Sequence, residues 1–134
     1  MRLPTIKTDY WELRSAEESH AKYGDKFWIP ALEARQNIKR GQAARLIFDI
    51  EVDDEGKIDI VSERMWVIVK EKLGDTYIGI LDNQPTCSAF ENDVYLCLGA
   101  EVPFLAEHVI YINSPPQDHS DWQLSLEPER IWPR

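Results

Sequence analysis

Apolar and polar residues alternate with a period of two from residue 43 onward. Side chains of a β-strand point to opposite faces in turn, so this period predicts a strand with one apolar face. The apolar set is Leu46, Phe48, Ile50 and Val52, and the opposite set is Arg45, Ile47, Asp49 and Glu51. We expect the first set to face the core.

Turn residues divide the following stretch into further strands. Residues 53–56 end in glycine and predict that 57–61 returns antiparallel to the first strand. Residues 65–69 are apolar on both faces, which favours a central strand. A turn at 73–75 then leads into a strand at 76–81. Hairpins in succession indicate an antiparallel sheet curled on itself.

Three later segments complete the predicted sheet. Val94, Leu96 and Leu98 form another alternating stretch that stops at Gly99. Residues 102–104 predict an edge strand or an irregular segment, because the proline at their centre cannot donate to a ladder. A single turn at 105–108 precedes a last strand at 109–112.

Two short helices are predicted before the sheet. The Ser15-x-x-Glu18 spacing is that of a capping box, and Gly24 suits the residue after a helix end, so we expect a helix at 16–23. The apolar run 27–30 ends in Pro30, which fits the first position of a second helix extending through 31–37.

These elements predict the α+β fold class, with a rolled antiparallel β-barrel and an extended proline-rich tail. We divide the chain into a helical lead-in (1–26), a β-rich core domain (27–112) and the tail (113–134). The tail contains Pro115, Pro116, Pro128 and Pro133. Its apolar residues, which are able to pin it to the body, are Trp122, Leu124, Leu126 and Trp132.

Composition restricts the kinds of partner. The chain has 24 acidic and 15 basic residues, a formal charge of −9, so we expect no nucleic-acid partner, because phosphate binding needs clustered cations. A basic protein partner fits the acidic charge better. No apolar run is long enough for a membrane span or a secretory signal, which predicts a cytoplasmic protein without membrane contact. Reduced thiols are then expected at Cys87 and Cys97.

A series of short pieces along residues 27–112 resembles the uncharacterised bacterial proteins of domain-of-unknown-function family 2314. The pieces, in order, are FWIP (27–30), Ile38 and Gly41, RLIF (45–48), ERMWV (63–67), GILDNxP (79–85) and EHVI (107–110). Residues 86–93 depart from the family pattern, because the stretch after Pro85 is longer. The resemblance implies a small SH3-like or similarly rolled sheet, and it implies no activity.

The strand at 76–81 stops in Asp82, Asn83 and Gln84 before Pro85. Asp and Asn side chains bond nearby backbone amides, and proline prevents the strand from continuing, so a turn alone accounts for the run. The functional alternative is that Asp82 and Asn83 present polar groups to a ligand at the mouth of the barrel.

Arg64 and Trp66 share a face of their strand, because they are two residues apart. Tyr77 on the adjoining strand is a candidate neighbour for either side chain. An ordinary structural role for Trp66 is one interpretation. If the face is exposed, Arg64, Trp66 and Tyr77 would form a patch of the residue types that dominate protein interfaces.

Glu107 and His108 form an acid–histidine pair in an apolar setting. A general base needs a nucleophile within hydrogen-bond reach, and Ser62, Cys87 and Ser88 lack any catalytic motif, so we predict no catalytic residue. A histidine that bonds a loop is the plainer interpretation. Neither metal-ligand spacing nor a glycine-rich phosphate loop is present, so we expect no metal and no cofactor.

Three hypotheses follow from these residues. The first is a non-catalytic protein- or ligand-binding module, of the kind of an immunity protein that occludes a toxin, with Arg64, Trp66, Tyr77, Asp82, Asn83, Glu107 and His108 as binding residues. The second is a small hydrolase or ligand-binding enzyme that uses Asp82, Asn83 and His108 around one pocket. The third is a structural accessory domain with no ligand of its own.

Overall fold

The protein has an α+β fold in which a curled antiparallel sheet, a half-barrel, carries a few short helices. This computed structural model describes residues 1–86 and 94–134. The strands are β1 (Trp11–Leu13), β2 (Ala43–Asp54), β3 (Lys57–Leu73), β4 (Thr76–Leu81), β5 (Glu101–Phe104) and β6 (Val109–Asn113). The helices are α1 (Ile6–Asp9), α2 (Ala16–Tyr23), α3 (Leu32–Gln36) and α4 (Gln117–Ser125), with 3-10 turns at Gly24–Lys26 and Ala106–His108.

The strand order requires the sheet to curl. The strands follow the order β1-β2-β3-β4-β5, and β6 pairs with the same edge of β2 as β1, nearer the start of β2. In a flat sheet β5 and β6 would be four strand spacings apart, about 19 Å. The chain passes from Phe104 to Val109 in five steps, about 17 Å if fully extended. The 3-10 turn within those steps shortens that reach, so the two edges must approach one another.

The hairpin of β2 and β3 forms the centre of the sheet. Its twelve-pair register runs from Ala43 opposite Ile68 to Asp54 opposite Lys57. The turn residues Glu55 and Gly56 both have positive φ, 53° and 87°, as a two-residue hairpin turn requires. The segments 57–61 and 65–69, predicted as separate strands, belong to one continuous strand, because no turn residue interrupts residues 62–64. The predicted central position of 65–69 is confirmed.

The core lies inside the curl. Leu46, Phe48 and Ile50 are buried as predicted from their alternation. Trp11 from β1 and Trp132 from the C-terminal segment join them, with ring centroids 5.7 Å apart and planes nearly perpendicular. Large aromatic rings from both ends of the chain therefore fill one end of the half-barrel, where each contributes a large buried apolar area. The lead-in 1–26 thus supplies a strand and a core residue to the same sheet.

The first of the two predicted helices is confirmed as α2. It spans Ala16–Tyr23, and the Ser15 hydroxyl accepts from the Glu18 backbone N–H at 3.2 Å. The second helix is shorter than predicted, Leu32–Gln36, and it begins after Pro30 and Ala31. Pro30 lies outside the helix, since Ala31 is its N-cap, and the Pro30 carbonyl accepts a side-chain bond from Arg35 at 2.8 Å.

Two predictions about the later chain are wrong. Residues 94–98 form no strand, because β5 already occupies the free edge of β4 and Leu98 donates its N–H to the side chain of Gln84. The tail is not extended throughout, because Gln117–Ser125 is helical. Prolines flank that helix, and proline before a first turn is compatible with helix formation. Trp132 is buried, whereas Trp122 is exposed.

A second, smaller apolar cluster covers part of the outer face of the sheet. It consists of Ala16, Ile47 and Ile110, with Phe27 and Ile29 packed against them. Helix α2 and the segment before α3 are held on the sheet by this cluster. Among the helices that the structure describes, none is long and apolar enough to cross a membrane.

Candidate functional site

Arg64 and Trp66 both lie on the outer face of the sheet. In the ladder of β2 and β3, Arg64 is opposite Ile47, and Trp66 is opposite Arg45. Strand β6, on the other side of β2, places Tyr111 opposite Arg45. Three adjacent strands therefore bring two arginines and two aromatic rings onto one surface.

Aromatic side chains form an exposed row across this surface. The Tyr111 ring lies 6.1 Å from the Trp66 ring, edge-on, and 5.9 Å from the Trp28 ring. Trp28 is 61% exposed and Tyr111 is 51% exposed. We define the arginine–aromatic face as Phe27, Trp28, Arg45, Arg64, Trp66 and Tyr111.

Each arginine of this face stacks on a ring. The guanidinium carbon of Arg45 lies 5.8 Å from the Trp66 ring centroid, and that of Arg64 lies 5.7 Å from the Phe27 ring centroid. Both distances are within the range of cation–π attraction. A pocket of about 210 Å³ lies between them, with the side chains of Lys26, Ile110 and Tyr111 completing its wall.

The cations of this pocket have no anionic partner among the residues that the structure describes. Within residues 1–86 and 94–134, neither Arg45, Arg64 nor Lys26 forms an ion pair, and no carboxylate lines the pocket. The Nε atom of Arg45 is buried and has no hydrogen-bond acceptor. A buried donor without an acceptor costs about 1–3 kcal/mol, so this guanidinium gains little hydrogen-bond stabilisation from the described part of the fold.

A buried arginine fixes the segment that carries Phe27 and Trp28. Arg35 donates from Nε to the Pro30 carbonyl at 2.8 Å and from Nη1 to the Ala106 carbonyl at 2.9 Å. The same Nη1 forms an ion pair with Glu17 at 2.7 Å. These bonds join α2, the segment before α3 and the turn before β6. Trp28 is therefore held in place although its own ring is exposed.

Tyr77 does not belong to this face, contrary to the prediction. It pairs with Lys72, six positions along β3 from Trp66, and it is fully buried on the core side. Its ring stacks on Phe104 at 5.0 Å, and its hydroxyl donates to the Arg35 carbonyl at 2.8 Å. Counting residues outward from the turn after β3 predicts the Lys72 pairing, so the sequence does contain this signal.

The polar run after β4 forms contacts within the fold. The Asn83 side-chain oxygen accepts from the Trp66 backbone N–H at 2.7 Å, and the Asp82 N–H donates to the Trp66 carbonyl at 2.9 Å. The Asp82 carboxylate accepts from His119 Nε2 at 2.9 Å and thereby holds α4 on the sheet. Asn83 thus positions the backbone of a residue of the arginine–aromatic face.

His108 is buried in the turn between β5 and β6. Its Nδ1 accepts from the Leu105 backbone N–H at 2.9 Å, and its Nε2 lies 3.9 Å from the Glu107 carboxylate. Burial lowers the pKa of His108 below its ordinary value, against the opposing pull of the Glu107 and Glu17 carboxylates. A neutral ring with its proton on Nε2 fits both contacts. His108 therefore bonds the backbone of its own loop, as the plainer of the two interpretations predicted.

Asp82 and His108 lie at opposite ends of the β4–β5 ladder. Tyr77 pairs with Phe104 at the end that leads into His108. Asp82 comes five residues after Tyr77, a separation of about 16 Å along a strand. The structure therefore does not bring the Asp82, Asn83 and His108 side chains around one pocket.

A larger cleft of about 750 Å³ opens beside Trp11, Tyr95 and Trp132 at the other end of the half-barrel. Its charged residues include Arg2 and Asp9, which already pair with one another at 2.7 Å. The Trp11 ring nitrogen is buried without an acceptor. Like the Arg45 Nε atom, this nitrogen is buried and is not itself exposed to a ligand.

The residues that sequence reasoning missed are Trp28, Arg45 and Tyr111. They lie on a loop and two strands that are distant in sequence, and no local pattern places them together. Within the described ranges, no group of three or more His, Cys, Asp or Glu side chains is arranged to hold a metal ion. Cys97 is a free thiol there, whereas Cys87 lies outside the described residues.

Comparison of the chain with models of known protein families, with curated proteins and with solved structures gives no match. The geometry of the arginine–aromatic face therefore stands as the main guide to function.

Proposed function

We propose that this protein is a non-catalytic binding module that engages a protein partner through the arginine–aromatic face. The observation that carries the proposal is the pair of exposed rings, Trp28 and Tyr111, 5.9 Å apart. They lie beside two arginines that form no ion pair with any residue the structure describes. Trp, Tyr and Arg are the residue types that contribute most to binding energy at protein interfaces. Burying such rings gains apolar contact at a low cost in side-chain entropy.

The support beneath the face also favours binding. Trp28 is carried by a segment that Arg35 fixes, and Trp66 is held by Asn83. A surface that keeps its conformation before the partner arrives loses less entropy on binding. The motif resemblance adds to this proposal a small SH3-like barrel related to family 2314, with a place in the cytoplasm.

The immunity-like hypothesis predicts a different contact surface. A basic toxin would bind acidic side chains, and an exposed acidic group lies at the tip of the central hairpin: Asp53, Asp54, Glu55 and Asp59. Substitution of this hairpin group therefore distinguishes a basic partner from one that binds the arginine–aromatic face.

The test is affinity capture at low salt from the native cells, with matched aromatic variants as bait. We expect the wild type to retain a stoichiometric partner that Trp28→Ala and Tyr111→Ala lose. Trp122→Ala and Tyr23→Ala remove rings of similar exposure, 54% and 52%, elsewhere on the surface, and they should retain it.

Two outcomes would overturn the proposal. One is capture that is indifferent to Trp28 and Tyr111. The other is loss of the partner on Asp53→Asn with Asp54→Asn, which would move the site to the hairpin tip. Circular dichroism of each variant confirms that the fold is intact.

A further inference from the structure

We propose that the pocket between Arg45 and Arg64 binds a carboxylate of the partner, the side chain of an Asp or Glu residue. This inference rests on the proposed function and specifies its chemistry. It begins from an unusual distribution of charge in an acidic chain.

Carboxylates are abundant in this protein, yet the pocket excludes them. Of the other six arginines, Arg40 and Arg130 donate to backbone carbonyls, and Arg2, Arg14, Arg35 and Arg134 form ion pairs with carboxylates. Within residues 1–86 and 94–134, Arg45 and Arg64 have neither kind of partner, and they share one pocket with Lys26. The pocket is therefore a local concentration of positive charge on an acidic molecule.

The ring contacts leave terminal N–H groups of both arginines without an acceptor. Arg45 lies over Trp66 and Arg64 lies over Phe27, and within the described residues neither guanidinium forms a hydrogen bond. A guanidinium over a ring can still donate from its edge. Carboxylates accept two parallel N–H bonds from a guanidinium, and these charge-assisted bonds are about twice as strong as neutral ones.

The size of the pocket favours one side chain over a whole metabolite. Its volume is about 210 Å³, below the roughly 300–1,000 Å³ of small-molecule sites. The exposed rings of Trp28 and Tyr111 stand at its rim and would contact the backbone on either side of the bound residue. A nucleic acid is disfavoured, because its many phosphates would meet the repulsion of a −9 chain.

The experiment titrates the full chain with a blocked Glu-Glu-Glu tripeptide and follows indole N–H signals by NMR. We expect the Trp28 and Trp66 signals to shift with the Glu peptide and to stay in place with a blocked Gln-Gln-Gln peptide. Added salt should weaken the effect, because the attraction is between charges. Inorganic phosphate is titrated in parallel as the competing anion.

Arginine variants locate the site. Arg64→Gln should weaken peptide binding about tenfold, the change expected when a charge-assisted hydrogen bond is lost. Arg45→Lys keeps the charge and loses the paired N–H geometry, so it should also weaken binding. Arg14→Gln is the matched control, because that arginine already pairs with Asp49 at 2.7 Å on the same sheet. Its affinity should equal that of the wild type.

The outcomes separate this inference from the proposed function. Peptide binding that ignores Arg64→Gln, or an absence of binding, overturns the carboxylate site even if a captured partner still depends on Trp28. Binding of phosphate with no response to the Glu peptide also overturns it. Arg64-dependent peptide binding supports the carboxylate site even if the capture experiment fails, in which case the claim of a protein partner is the one that falls.

Discussion

The carboxylate of Glu101 binds the guanidinium of Arg134, with Oε1 2.6 Å from Nη1, and so joins the C-terminal segment to strand β5. Lys70 also pairs with this carboxylate at 3.1 Å, and the Trp132 backbone N–H donates to it at 3.0 Å. Burial by itself would raise the pKa of Glu101. The three donors outweigh burial and hold the pKa below its ordinary value.

The lowered pKa of Glu101 predicts a loss of stability in acid. The stabilisation is fully present above the carboxyl's ordinary pKa of 4.5, and it is lost as the pH falls through the lower folded-state pKa. Glu101→Gln should cost about 3 kcal/mol at pH 7, because its cationic partners lose their carboxylate. Urea unfolding at pH 7 and pH 3 measures the difference between the two proteins.

That difference should shrink in acid, where the wild-type carboxyl becomes protonated as well. Glu33→Gln, an exposed carboxyl on α3, serves as the control and should match the wild type at pH 7. A gap between Glu101→Gln and the wild type that stays constant down to pH 3 would contradict the prediction.

His108 predicts a second pH effect, nearer neutrality. Because its pKa is lowered from 6.5 in the folded state, the unfolded chain takes up a proton below pH 6.5 that the folded chain does not. Stability should therefore fall from pH 7 to pH 5, by at most about 1.4 kcal/mol per pH unit from this group. His108→Gln should flatten that part of the profile, as measured by urea unfolding at several pH values. Parallel profiles for the two proteins would count against it.

The two tryptophans of the tail should differ sharply in their effect on stability. Trp132 is 1% exposed and packs on Trp11, so Trp132→Ala should cost about 3–5 kcal/mol of unfolding free energy. Trp122 is 54% exposed, so Trp122→Ala should stay within about 0.5 kcal/mol of the wild type. Thermal and chemical unfolding measure both. Equal losses would show that the burial of Trp132 is wrongly assigned.

Gly79 should not tolerate a side chain. A Cβ at this position would lie 2.8 Å from both Cβ and Cγ2 of Val67, and β4 cannot move away because it is paired on both edges. Gly79→Ala should therefore cost about 1–3 kcal/mol through overpacking. Adding Val67→Ala removes Cγ2, one of the two clashing atoms, so the double variant should lose less than the sum of the two single variants. Strict additivity in chemical unfolding would contradict the clash.

The register of the sheet decided which predicted site residues meet. Trp66 and Tyr77 both lie on strands that the alternation predicts, but they are far apart along the β3–β4 ladder and on opposite faces. Helix α4 was missed because its nine residues are mostly polar and lie between prolines, so they lack an apolar period. The alternation at 94–98 predicted a strand, but β5 occupies the edge of β4 that lies beside this segment.

The polar run after β4 is a similar case. Asp82 and Asn83 mark the strand end, as their turn chemistry predicts. Their partners are His119 and the backbone of Trp66, which come from α4 and β3. Such pairings depend on elements that meet after folding, so a single sequence gives no local sign of them.

Local sequence patterns were enough to predict which face of β2 is buried, the tight turn at Glu55 and Gly56, and the capped start of α2. These follow from side-chain period and backbone preference, which act over a few neighbouring residues. Only the tertiary structure decided that Trp28, Arg45 and Tyr111 share a face. Their meeting depends on the curl of the sheet and on packing between segments up to 83 positions apart, and long-range contacts of that kind are selected by the energy of the whole fold.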